Sequence, residues 1–120
     1  MILGYIRDRF PRVPLVLPGL DGPLRVEFIV DTAFDGDLAM PAHLISRIET
    51  SYSASRRVRM ADGYESNQEY RQVELAWDED VIPIEVLVMD TTPLIGVLLM
   101  NDYLLQAEMQ EGGEVSLEPL

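Results

Sequence analysis

The feature that most constrains this chain is an apolar run that ends abruptly at a carboxylate. Residues 26–30 read Val-Glu-Phe-Ile-Val, and their aromatic and β-branched side chains favour an extended backbone. Asp31 follows directly, and the nearby Asp35-Gly36-Asp37 favours a turn. The sequence therefore predicts a β-strand that carries the Asp31 carboxylate at its end, where a loop begins.

The rest of the chain has the pattern of an all-β protein. Short alternating or β-branched runs, separated by turn-forming clusters, predict strands at 12–17, 24–30, 38–40, 51–60, 69–77, 81–89, 106–110 and 115–118. Two short helices are predicted as well. One opens at Pro41 and places Leu44, Ile45 and Ile48 on one face, and the other covers residues 97–105. We therefore expect a small, closed or nearly closed β-barrel with one or two short helices.

Length and composition narrow the function classes. The 120 residues predict one domain, residues 1–120, with 48% hydrophobic residues to form its core. Cysteine is absent from the sequence, which excludes disulfides and thiolate metal sites. The net charge of −12 argues against a nucleic-acid partner, because phosphate binding needs a positive field. No apolar run has the length of a signal peptide or a membrane span, so we expect a cytoplasmic protein without a membrane partner.

Two motifs together resemble a known family. Asp31-Thr32-Ala33 follows a hydrophobic strand, and Leu94-Ile95-Gly96 follows Pro93 near the end of the all-β pattern. Their order and spacing resemble the single-domain, retroviral-protease-like aspartic proteases (retropepsin-type, clan AA), and most closely the small bacterial branch. The resemblance covers roughly the whole chain. It implies a closed barrel of the retroviral acid protease type, with Leu94, Ile95 and Gly96 as a structural motif behind the active-site loop.

The resemblance also implies an activity. Asp31 matches the catalytic aspartate, and Thr32 and Ala33 match the residues that support its loop. Aspartic proteolysis needs two carboxylates that share one proton, and this chain offers one suitable triplet. The second Asp31 must then come from a second chain. We therefore expect a homodimeric aspartic endopeptidase, without a cofactor or metal, that acts on a peptide or protein substrate.

Further positions are expected to bind that substrate. They belong to the loop after Asp31 and to the tip of a hairpin that matches the family's flap: Phe34, Asp35, Met60, Ala61, Asp62, Gly63 and Tyr64. Gly63 suits a hairpin tip because glycine adopts positive φ easily. Two residues depart from the family pattern. Ala33 replaces the usual glycine, and Val97 stands where retroviral enzymes have an arginine.

Other interpretations remain open from the sequence. A non-catalytic binding or scaffold protein could keep the fold and the dimer, and Ala33 and Phe34 would suit such a loss of turnover. A metal-dependent hydrolase could use Asp31, Asp35 and Asp37, but it lacks histidines or further ligands at useful spacing. The single histidine, His43, is predicted to lie on the surface or at a helix cap. Asp90-Thr91, a second Asp-Thr pair, is predicted to be structural.

Overall fold

The computed structural model describes residues 1–59 and 62–120 and has an all-β architecture. Its strands are β1 (Ile2–Arg7), β2 (Phe10–Leu17), β3 (Leu24–Val30), β4 (Leu38–Met40), β5 (Ser51–Arg59), β6 (Glu65–Trp77), β7 (Asp80–Val88), β8 (Leu94–Ile95), β9 (Tyr103–Ala107) and β10 (Glu114–Pro119). One short helix, α1 (Ala42–Ile45), follows β4. Within the described ranges, no helix has both the length and the apolar character needed to cross a membrane.

All ten strands belong to one sheet, in the order β5-β6-β7-β4-β8-β3-β2-β1-β10-β9. The pairings are antiparallel except β3 with β8 and β4 with β7, which are parallel. In the described part of the chain, β5 pairs only with β6 and β9 pairs only with β10, so the two end strands do not meet. The all-β prediction is confirmed, but the sheet is open where a closed barrel was expected. Each end strand is the outer member of an antiparallel pair, and its second edge has no ladder partner within residues 1–59 and 62–120.

The core lies where this sheet folds over on itself, so that β2 approaches β6 although four strands separate them in the sheet order. Alternation along β6 shows why the sequence folds this way. Val73, Leu75 and Trp77 are buried, and the residues between them are exposed. Phe28 on β3 and Leu38 on β4 are fully buried, so the strands on either side of the Asp31 loop are anchored in the core.

One predicted helix is confirmed, and the other is wrong. Residues 42–45 are helical, and Ile45 and Ile48 are buried as their shared face required. Residues 97–102 instead form turns, in which one hydrogen bond has the α-helical i→i−4 spacing, from the Met100 N–H to the Gly96 carbonyl at 3.3 Å. Asp102 then takes a φ of 66°, a left-handed conformation that ends any helix. The chain continues as β9, which starts and ends three residues before the predicted strand 106–110.

Candidate active site

The position of Asp31 follows from an inserted strand. β8 lies between β3 and β4, which are consecutive in the chain. It runs parallel to β3, with Val30 opposite Ile95, and antiparallel to β4, with Leu38 opposite Ile95. Residues 31–37 must therefore cross the end of β8 to connect β3 with β4. Asp31 is the first residue of this crossing loop.

Backbone hydrogen bonds fix the loop to the last residue of β8 and the segment after it. The Asp31 N–H donates to the Ile95 carbonyl at 3.0 Å, and the Gly96 N–H donates to the Asp37 carbonyl at 2.9 Å. Between these two points, the Phe34 carbonyl accepts from Val97 at 2.9 Å. The loop is thus held at its start, middle and end by one short stretch of chain.

Close packing explains why glycine occupies position 96. A Cβ atom there would lie 2.2 Å from the Gly36 carbonyl oxygen and 2.7 Å from both the carbonyl oxygen and a ring carbon of Phe34. Backbone atoms cannot give way as a flexible side chain can, so any larger residue would displace the loop. The structure therefore brings the predicted motif Leu94, Ile95 and Gly96 together with the Asp31 loop.

The carboxylate of Asp31 is held by its own loop. Its Oδ1 accepts a hydrogen bond from the Ala33 N–H at 2.9 Å, and its carbonyl accepts from the Phe34 N–H at 3.2 Å. Oδ2 has no hydrogen-bond partner among residues 1–59 and 62–120. The side chain is half-buried, so a fixed carboxylate presents one open oxygen at the surface.

Alanine at position 33, where the resemblance implies glycine, is compatible with this geometry. Positive φ among described non-glycine residues occurs at Asp8, Arg9, Asp78, Glu79 and Asp102, and Ala33 is not one of them. An alanine at that position is therefore unstrained, and its N–H still reaches the carboxylate. Thr32 and Ala33 are both exposed, and the Thr32 hydroxyl has no hydrogen-bond partner in the described part of the chain.

The loop also forms one wall of a cleft of about 370 Å³. Phe34 and Asp35 line it from the loop, and Leu98 lines it from the turn after Gly96. The opposite wall is the stem of the β5–β6 hairpin and β7, through Arg56, Tyr70 and Glu85. The structure therefore places these two predicted substrate residues in one cleft, which begins three residues after Asp31. Phe34 is half-buried there, and Asp35 is exposed.

The charged groups in the cleft interact with one another and with the Tyr70 ring. The Arg56 guanidinium lies 4.3 Å from the centre of the Tyr70 ring, and its Nη2 is 3.1 Å from each Glu85 carboxylate oxygen. The Glu85 N–H donates to Asp37 Oδ2 at 3.0 Å. Burial raises the pKa of Asp37, the negative charge of Glu85 adds to that rise, and the hydrogen bond from the Glu85 N–H opposes it.

Sequence reasoning missed Arg56, Tyr70 and Glu85 as site residues. They lie on three neighbouring strands, and only the strand register brings them together. Asp37 was considered only as a metal ligand. The turn after Asp35-Gly36 was visible in the sequence, but the contact of Asp37 with β7 was not.

The hairpin tip lies apart from the loop as far as the structure describes it. Asp62, Gly63 and Tyr64 are exposed, and the Tyr64 N–H donates to Asp62 Oδ1 at 3.0 Å. Gly63 has a φ of 90°, as expected for glycine at a hairpin tip. Between these three residues and residues 31–37 the structure shows no hydrogen bond or ion pair. The predicted substrate residues Met60 and Ala61 lie outside the described residues.

The metal interpretation finds no support in the geometry. Across residues 1–59 and 62–120, no three His, Asp or Glu side chains converge as a metal site would require, so Asp31, Asp35 and Asp37 do not form one. His43 is exposed on α1, consistent with the predicted surface position. The second Asp-Thr pair lies in bends that lead to Pro93, whose carbonyl accepts the Ile29 N–H at 2.9 Å.

Comparisons of the chain with protein-family models, with curated protein sequences and with solved structures found no match. Its chemistry must therefore be inferred from the loop itself. A carboxylate with one oxygen held by an N–H and the other open can exchange a proton with a bound water. A single such group can take or give that proton, but it cannot do both at once. A second acid is needed for hydrolysis of an amide by this route.

Proposed function

We propose that the protein is an aspartic endopeptidase in which two copies of Asp31, one from each chain of a homodimer, form the catalytic pair. The observation that carries the proposal is the presentation of Asp31. The loop that holds it is fixed by the segment 95–98, its Oδ1 accepts the Ala33 N–H, and its Oδ2 is open. The resemblance of Asp31-Thr32-Ala33 and Leu94-Ile95-Gly96 to retroviral-type proteases supports the same proposal.

The two carboxyls would divide the acid and base roles. Like charges held close together cannot both ionise, so one Asp31 is ionised while the other keeps its proton. The ionised carboxylate accepts a proton from water as the oxygen attacks the scissile carbonyl. The protonated carboxyl donates to the carbonyl oxygen, which gives a neutral tetrahedral intermediate. As the intermediate collapses, the C–N bond breaks and the amine leaves with a proton from the acid that accepted one from water. The other carboxylate, which had donated its proton, accepts a proton from a hydroxyl of the intermediate, so the product carboxyl forms and the pair returns to its starting state.

Exposed apolar residues beside the loop support the dimer. Val97 and Leu98, directly after Gly96, are 39% and 60% exposed, and Thr32 and Ala33 are exposed on the loop itself. A second copy related by two-fold symmetry would cover such a surface and bring the two Asp31 loops together. The resemblance implies that the terminal segments take part in the interface. β1 already pairs with β2 and β10, so this strand could contribute only its face or its flanking residues.

The test is digestion of a diverse peptide library at several pH values by wild type and by Asp31→Asn. Asn is nearly isosteric and can still accept the Ala33 N–H, so the fold and dimer should survive the change. We expect cleavage by the wild type alone, with a bell-shaped pH profile on the acid side of neutrality. Light scattering on the same samples must show a dimer in both, because a sequence pI near 4.2 lowers solubility at acid pH.

A second candidate is a homodimeric binding or scaffold protein without turnover. Phe34 favours it, because its bulky ring packs against Gly36 and Gly96 in the loop beside the carboxylate. The exposed Val97 and Leu98 would be covered by a partner copy in either case. Stable dimers that bind peptides and leave them intact in both wild type and Asp31→Asn would favour this candidate.

A further inference from the structure

The cleft between the Asp31 loop and the hairpin stem has a composition that points to one class of side chain. We propose that it receives a basic side chain, arginine or lysine, of the bound peptide. The inference rests on the proposed function for its substrate class, but the binding it describes does not require turnover. The volume of the cleft, about 370 Å³, is within the range of small-ligand sites.

Apolar walls suit the hydrocarbon part of such a side chain. Phe34 lines the cleft from the loop and Leu98 lines it from the following turn. Phe34 is half-buried, so a ligand that covered the rest of its ring would bury apolar surface. Lysine and arginine carry a long aliphatic stem that packs on apolar surface, with the charged end placed against polar groups.

The charge balance of the lining favours a cation. Three acids, Asp35, Asp37 and Glu85, stand against one base, Arg56, so the formal charge at neutral pH is 1 − 3 = −2. Arg56 is paired with Glu85, so the excess belongs to Asp35 and Asp37. Asp35 is exposed and, within residues 1–59 and 62–120, its carboxylate has no hydrogen-bond or ion-pair partner. The whole chain, at −12, adds a long-range attraction for basic peptides.

The wall of the cleft already contains one guanidinium that is bound by an aromatic ring and a carboxylate. Arg56 lies over the Tyr70 ring at 4.3 Å, with both Glu85 oxygens 3.1 Å from Nη2. An aromatic face and a carboxylate are the two partners that a guanidinium binds best. The peptide's basic group would take the remaining acids of the same cleft, Asp35 and Asp37, on the loop side.

The experiment uses the full-length protein and pairs of peptides that differ at one position, arginine against norleucine. The position is scanned along the peptide, and both cleavage and equilibrium binding are measured. We expect kcat/KM or affinity to favour arginine by about tenfold at one position, a preference that weakens with added salt. Asp35→Asn and Asp37→Asn should each reduce the preference, and the exposed Asp21→Asn, which removes the same charge elsewhere, should not.

The outcomes separate this inference from the proposed activity. Arginine-dependent binding without cleavage would support the cleft and overturn the peptidase. Cleavage with no arginine preference, or a preference that survives in both Asp35→Asn and Asp37→Asn, would overturn the cleft and leave the peptidase standing. Asp35 is exposed, so its variant tests the charge with little risk to folding, and thermal melts of all variants identify any loss of structure.

Discussion

The Asp31 loop and the tip of the β5–β6 hairpin differ in how they are held in place. The Asp31 loop is fixed by backbone hydrogen bonds to residues 95–98 and packs so closely on Gly96 that a Cβ atom has no room. The hairpin of β5 and β6 ends in a tip where a Cβ atom on Gly63 would meet nothing within 4 Å. The loop is therefore held by long-range contacts, and the tip by its own turn and the strands that lead to it. A residue added at position 96 therefore meets backbone atoms, whereas one added at position 63 meets open space.

The largest expected effect comes from testing the two glycines against each other. Gly96→Ala would force backbone atoms apart, since the new Cβ lies 2.2 Å from the Gly36 carbonyl oxygen. We expect it to lower the free energy of unfolding by about 2–4 kcal/mol. Gly63→Ala has open space around it and a φ of 90°, so we expect a backbone cost of only about 1 kcal/mol. Urea unfolding of both variants measures the two losses of stability, and equal losses would contradict the proposed difference between the loop and the hairpin tip.

Hydrogen exchange should show the same difference without a substitution. The amides of Ile29 and Asp31 donate to the Pro93 and Ile95 carbonyls inside the sheet, whereas the Tyr64 amide donates to the exposed Asp62 carboxylate. Local opening of the tip breaks few contacts, so we expect Tyr64 to exchange at least about a hundredfold faster. Equal protection at the two places would mean that the hairpin is a fixed wall.

The sequence predicted the features that depend on neighbouring residues. The strand before Asp31 follows from its β-branched run, and the positive φ of Gly63 follows from the demands of a tight turn. The helix expected at 97–105 failed because apolar spacing there reflects packing of a turn and a strand. The residues around Asp102 do not indicate that it adopts a left-handed conformation, after which the chain continues as β9.

The cleft could not be predicted, because its far wall depends on register. Arg56 lies opposite Gln68, two positions along β6 from Tyr70, and Glu85 lies opposite Gln72 on the next strand. A shift by one residue would turn each of these side chains to the other face of the sheet. The open sheet likewise depends on whether the outer edges of β5 and β9 meet, and strand patterns do not determine this.

A smaller effect tests how the hairpin stem is attached to β7. Arg56→Ala removes the ion pair with Glu85 and the contact with the Tyr70 ring. Because Arg56 is half-exposed, we expect a decrease in Tm of a few degrees at most, and less at high salt. Arg57→Ala is the matched control on the same strand, since Arg57 is 72% exposed and pairs with Glu65 at the longer distance of 3.4 Å. A larger decrease in Tm for Arg57→Ala would mean that Arg56 is not what attaches the hairpin stem to β7.

The smallest expected effect concerns pH. The pKa of Asp37 is raised in the folded protein, so the folded state binds this proton more tightly than the unfolded state does. Its contribution to stability therefore becomes more favourable as the pH falls from above the raised value toward the ordinary aspartate value. Asp37→Asn removes this pH dependence. The variant's gain in folding stability over wild type should therefore be greatest at neutral pH and decrease as the pH falls. Thermal melts of both proteins across that range measure it, and an advantage that grows in acid would have the wrong sign.

The most direct test of the central claim is the cleavage of a peptide library by dimeric wild type and dimeric Asp31→Asn, with dimer content measured in the same samples. If two Asp31 carboxyls share the catalytic proton, the wild type cleaves with a bell-shaped dependence on pH below neutrality, and Asp31→Asn is inactive although it remains folded and dimeric. Equal cleavage by the two proteins, or no cleavage by either while both remain dimeric, would contradict the claim.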